Sequence, residues 1–188
     1  MNTIDELKDR IPDYARDLRL NLSSVLTTRG APGLTETQIL AAAVASAHAA
    51  RYPQLTSGIE AIAAKVLDEE ALTAARSAAA IMGMNNVYYR FSHLVGDEEY
   101  RTLPARLRMN VIAQPPGDKL DFELCSLAVS AINGCGMCME AHEKVLRKAG
   151  LSREAIQSAA RIASVVHAVA VVLENEGSAK GQQTTKAA

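Results

Sequence analysis

Apolar residues recur along this chain at intervals of three and four positions and hardly anywhere in alternation, so the pattern predicts helices nearly throughout. Thr3-x-x-Glu6 reads as a capping box opening a short first helix. Pro12 suits the first turn of a second, which carries Leu18, Leu20, Leu22, Val25 and Leu26 to about Thr28. Arg29-Gly-Ala-Pro-Gly33 breaks it, and Thr35-x-x-Gln38 is a second capping box that starts an Ala-rich helix reaching about Arg51, where Pro53 stops it. Further helices are expected at 54–66, at 68–82 with Asp68 as cap and Gly83 as stop, and at 85–95. Residues 96–113 form a mixed stretch with a short helical segment after Pro104, and Pro115-Pro116-Gly117 is the strongest break in the chain. Three helices follow at 119–133, 135–149 and 153–174, with Gly150 ending the second and Ser152 capping the third. The polar tail 177–188 is expected to be disordered. No strand alternation appears, so the expected class is all-α.

A weak internal repeat shapes the organisation. An offset of 85 residues, about the size of a small helical unit, lays Gln38 on Glu123, Ala43-Val44 on Ala128-Val129, and Ala74-Ala75-Arg76 on Ala159-Ala160-Arg161. One helical domain over 1–176 results, in two similar halves, 1–114 and 115–176. Chance alignment of two Ala-rich halves is the plainer explanation. If the repeat holds, only the second half carries chemistry, because Ala50 and Pro53 stand where it has Cys135 and Cys138.

Composition narrows the possibilities. At 188 residues, 48% apolar and 22% charged, the chain has the make-up of a soluble globular protein. A net charge of −1 gives no electrostatic reason to expect nucleic acid or an anionic membrane as partner. The polar N-terminus lacks the basic start and apolar run of a secretory signal, and the longest apolar run, Ala163 to Leu173, is about half of spanning length. The expected compartment is the cytoplasm, where a Cys-x-x-Cys is more often catalytic or metal-binding than a structural staple. Alanine buries little area, so a chain rich in it and poor in aromatics is expected to gain further burial by oligomerising.

Cys135-Gly-Met-Cys138, with His142 four residues on, therefore holds most of the chemical information. Two thiols at this spacing can cycle between dithiol and disulfide, and at a helix start the unpaired N–H groups favour thiolate. His142 shares a helical face with both cysteines and can take or return a thiol proton. Glu123, on the preceding helix among apolar neighbours, needs a partner that His142 would supply. Half of a zinc site is the competing reading, but no second Cys-x-x-Cys or paired His completes four ligands. A thioredoxin-like unit would need βαβ elements. Cys125 reads as a buried small hydrophobe, and His48, His93 and His167 as structural or surface residues.

Glu123 followed by Cys135-x-x-Cys138-x-x-x-His142, with Leu22-Ser-Ser-Val-Leu26 and the Ala41–Ala47 segment, resembles the AhpD-type alkylhydroperoxidases of the carboxymuconolactone decarboxylase-like superfamily over essentially the whole chain. The resemblance implies an antioxidant enzyme that reduces organic hydroperoxides, an AhpD-like helical fold and a homotrimer. It implies no bound cofactor or metal. The electron donor would be dihydrolipoamide carried on a lipoylated dihydrolipoamide acyltransferase, and the partner an AhpC peroxiredoxin. It makes Cys138 the peroxidatic thiol, Cys135 the proton donor and resolving thiol, and Glu123 and His142 the proton relay; sequence physics alone does not choose between the cysteines. One departure stands out: characterised members can carry histidine just before the second cysteine, where this chain has Met137. A decarboxylase of the same superfamily and a non-enzymatic redox sensor are the other readings, and the first has no need of a Cys-x-x-Cys.

Overall fold

Two helices that are buried on every side organise the molecule. In α3 (Glu36–Ala50) the nine consecutive residues from Ile39 to Ala47 are buried, and in α8 (Lys119–Ile132) the nine from Phe122 to Ser130 are. A helix with no solvent face must be surrounded. α3 and α8 pack on each other and are flanked by α5 (Glu69–Leu94) and α10 (Arg153–Thr185), with α2 (Arg16–Val25), α4 (Pro53–Ala63) and α9 (Gly136–Lys148) outside them. The small α1 (Ile4–Asp9) lies against α4, and α6 (Glu99–Thr102) and α7 (Asn110–Ala113) punctuate the 96–113 stretch. The computed structural model describes residues 3–185, with side chains as far as Gly177. Among the described residues there is no strand, and the all-α class holds.

Local chemistry explains most boundaries. Both capping boxes form, Thr3 with Glu6 and Thr35 with Gln38, and Asp68 caps α5 by accepting from the Ala71 N–H at 2.8 Å. Pro53 occupies the first turn of α4, where its missing N–H costs nothing. The 85-residue offset carries α3, α4 and α5 onto α8, α9 and α10 in order.

Three expectations change. Gly83 does not stop a helix: α5 runs unbroken through it for 26 residues, because Met82, Asn85 and Asn86 are all buried, so packing outweighs the roughly 1 kcal/mol propensity cost of glycine. Residues 104–109 are not helical, and the short turns flank them instead. The last helix continues to Thr185, past the expected end near 174 and into the segment read as a disordered tail; residues 186–188 lie outside those described. Within it, Arg153–Gly177 is long and apolar enough to span a membrane by length and composition, unlike the short run considered from sequence. Half of its apolar window is buried against the rest of the fold, with Ile162, Val166, Val169 and Leu173 in the core.

His48 is a structural residue, as expected, but it is not isolated. Its Nε2 lies 2.9 Å from Glu60 Oε1, which also accepts from Arg76 Nε at 2.8 Å, so one carboxylate ties α3, α4 and α5 together. Burial pushes the Glu60 carboxyl up, and the hydrogen bonds and charges of Arg76 and His48 outweigh it, leaving its pKa below the ordinary carboxylate value.

Candidate active site

The link between α8 and α9 is three residues long and is built almost wholly from end-caps. Gly134 lies in the left-handed region (φ +67°), its N–H bonds Ala131 O at 3.3 Å, and the Cys135 N–H bonds Ser130 O at 3.0 Å. This pair of bonds closes the C-terminus of α8 as a Schellman motif. It delivers Cys135 directly to the N-cap of α9, where its sulfur accepts the Cys138 N–H at 3.3 Å. Side chains reinforce the corner: Asn86 donates to Ser130 Oγ at 2.9 Å, Asn133 donates to Asn86 Oδ1 at 3.0 Å, and Arg90 donates to the Asn133 carbonyl at 2.6 Å.

Cys135 and Cys138 are joined as a disulfide with Cα atoms 5.3 Å apart. The two are not equivalent. Cys135 is wholly buried at the helix end, whereas Cys138, one turn into α9, lines a cavity of about 250 Å³ together with His142. His142 Nδ1 is 2.6 Å from Glu123 Oε2, and both side chains are buried. Because a carboxylate only accepts, Nδ1 carries the hydrogen, and Nε2 is the nitrogen free to exchange a proton on the cavity side. Nε2 in turn lies 3.3 Å from Met82 Sδ. All four residues singled out from the sequence, Glu123, Cys135, Cys138 and His142, are therefore brought to one corner of the fold.

The rest of the cavity wall was not anticipated. Met82, Asn85 and Tyr89 come from α5, Met109 and Ile112 from the 96–113 stretch, and Met137 from α9. Met82, Asn85 and Tyr89 stand at i, i+3 and i+7, one helical stripe, which goes unseen if α5 is divided at Gly83. Met137 also borders a second cavity walled by Tyr88, Tyr100, Arg101 and Leu103, so it contributes apolar wall where a relay histidine could stand. Tyr89 donates its hydroxyl to Met109 Sδ at 3.7 Å. Asn85 is 3% exposed, and its Oδ1 is buried without a hydrogen-bond partner.

The third cysteine is set apart. Cys125 is free and buried in α8; burial first, and then the Asp121 charge, pushes its thiol far above the ordinary range, which makes it inert. Among the described residues, no three His, Cys, Asp or Glu side chains are grouped closely enough to hold a metal ion.

The carboxymuconolactone decarboxylase family model matches residues 98–175, which include the dithiol, Glu123 and His142. Over 185 residues, 98% of each chain, the sequence is 56% identical to the alkyl hydroperoxide reductase AhpD of Rhodospirillum centenum. The chain belongs to the AhpD family. Its likeness to the AhpD proteins of Rhodopseudomonas palustris (58%) and Bradyrhizobium (55%) covers 92% of the chain and 93% of each relative. In this AhpD-family chain the cavity, the dithiol and the Glu123–His142 pair all draw on the matched segment, with α5 supplying the facing wall.

Proposed function

We propose that the protein is an alkyl hydroperoxide reductase that runs a Cys135/Cys138 dithiol–disulfide cycle, and one observation carries the reading. Cys138 opens onto an apolar cavity beside an imidazole whose far nitrogen is held by a buried carboxylate, while Cys135 waits behind it within disulfide reach. The relatives' names support the peroxide-reducing, antioxidant side of the proposal.

The steps follow from the placement. His142 Nε2 takes the Cys138 proton, and the Glu123 carboxylate stabilises the imidazolium. The thiolate attacks the distal, hydrogen-bearing oxygen of ROOH; the O–O bond breaks, an S–O bond forms, and the alkoxide leaves with the His142 proton as alcohol. Cys135 then attacks the sulfenic sulfur and expels water as the disulfide closes. Dihydrolipoamide reopens it: one of its thiolates forms a mixed disulfide, and the second closes the lipoamide ring and releases both cysteines as thiols. In the same reading the reduced dithiol also passes electrons to an AhpC peroxiredoxin, the donor is a lipoylated acyltransferase, and the compartment is the cytoplasm. Exposed Val87, Phe91, Leu94 and Leu103 near the end of α5 support assembly into the homotrimer; a monomer that persists on concentration in light scattering would remove that part.

Steady-state reduction of cumene hydroperoxide with dihydrolipoamide tests the proposal. The unmodified protein should turn over and Cys138→Ser should not, and near wild-type activity in Cys138→Ser would refute the assignment.

A further inference from the structure

We infer that Asn85 is the substrate-binding residue of the cavity, its carboxamide oxygen accepting the O–H of the hydroperoxide; the inference rests on the peroxidase reading above. In a wall otherwise made, beside Cys138 and His142, of thioether, aromatic and aliphatic groups, Asn85 is the residue whose buried side-chain oxygen has no hydrogen-bond partner inside the protein. A buried carbonyl left unpaired is destabilising, and native proteins satisfy nearly all of them. Its neighbour Asn86 is fully used, donating to Ser130 and accepting from Asn133, so the corner had partners available for an amide that needed them. Tyr89, the hydroxyl of the cavity wall, is turned to Met109.

The ligand's chemistry follows from the acceptor. A hydroperoxide is apolar over its alkyl part and carries one strong donor, the O–H on the distal oxygen, whereas a thiol is only a weak donor. Acceptance of that hydrogen by Asn85 Oδ1 would hold the distal oxygen, the atom that Cys138 attacks, while the proximal oxygen is left to receive the proton from His142. The O–H bond survives the reaction and becomes the sulfenic O–H, so the contact lasts from bound peroxide to product and orients the attack without itself moving a proton. Met82, one turn earlier on the same stripe, lies 3.3 Å from Nε2 of the imidazole and places the ring on the same side of the cavity.

The two half-reactions separate this role from others. Pre-reduced protein is mixed with cumene hydroperoxide in rapid quench, and oxidised protein with dihydrolipoamide, for the wild type, Asn85→Leu and Asn85→Ala. The second-order rate constant with hydroperoxide should fall on the order of tenfold in both variants, the loss of one substrate hydrogen bond, while the dihydrolipoamide step stays within twofold. Asn85→Leu, which removes an unpaired buried oxygen at little change in volume, should melt no lower than wild type. An unchanged peroxide step in whichever variant folds would overturn the inference, as would equal losses in both steps. Absence of any peroxide step in the wild type would instead remove the peroxidase reading itself.

Discussion

His142 is anchored at Nδ1 by the Glu123 carboxylate at 2.6 Å, with the Met82 thioether 3.3 Å from Nε2, and that single anchor decides which nitrogen can exchange a proton. Fixing the hydrogen on Nδ1 leaves Nε2 as the only exchangeable position, and the carboxylate stabilises the charged ring that thiol deprotonation creates. Glu123→Gln keeps the volume but loses the charge, and its amide can impose the wrong tautomer. We predict that it lowers kcat/KM for hydroperoxide by roughly 10²-fold, within the usual range for a lost proton-transfer group, with little change in Tm. Steady-state kinetics beside a thermal melt checks this, and near wild-type activity would exclude the carboxylate from the relay. At the same scale, Met137 is a wall residue shared by two cavities, where a relay histidine could stand.

Among the elements, the corner between α8 and α9 decides where the dithiol sits. Gly134 is required there by its backbone, not by crowding: a Cβ would meet only Arg90 Nη1, at 3.9 Å. Left-handed backbone costs a non-glycine residue about 1–2 kcal/mol. At 2–4 °C per kcal/mol for a domain of this size, Gly134→Ala should lower Tm by about 2–8 °C and slow disulfide closure by displacing Cys135 from the N-cap. A melt indistinguishable from wild type would show that the left-handed link is dispensable. Signals of this kind were legible in sequence: both capping boxes, Asp68, Ser152 and the Gly150 stop act through neighbours a few residues away. Gly83 misled for the opposite reason. Its local cost is outweighed by tertiary burial of Met82, Asn85 and Asn86, and splitting α5 there hid the stripe that forms the facing wall.

For the whole molecule, the site is shared between a first half, residues 1–114, and a second, residues 115–176. The second half supplies Glu123, Cys135, Cys138 and His142, while α5 and the 96–113 stretch of the first supply Met82, Asn85, Tyr89, Met109 and Ile112. The N-terminal segment carries no Cys-x-x-Cys but roofs the dithiol of the C-terminal one. The chemical pole could be read from spacing along one helix and its predecessor. The binding pole could not, because it depends on how two distant segments pack. Whether Cys138 meets the peroxide and Cys135 resolves it is decided by trapping. Cys135→Ser is treated with one equivalent of cumene hydroperoxide and dimedone, then mapped by mass spectrometry. One dimedone adduct per chain is expected, on Cys138, and a Cys135–Cys138 disulfide without adduct in the wild type. An unmodified Cys138 in that variant, with Cys135 of Cys138→Ser trapped as the sulfenic acid instead, would contradict it.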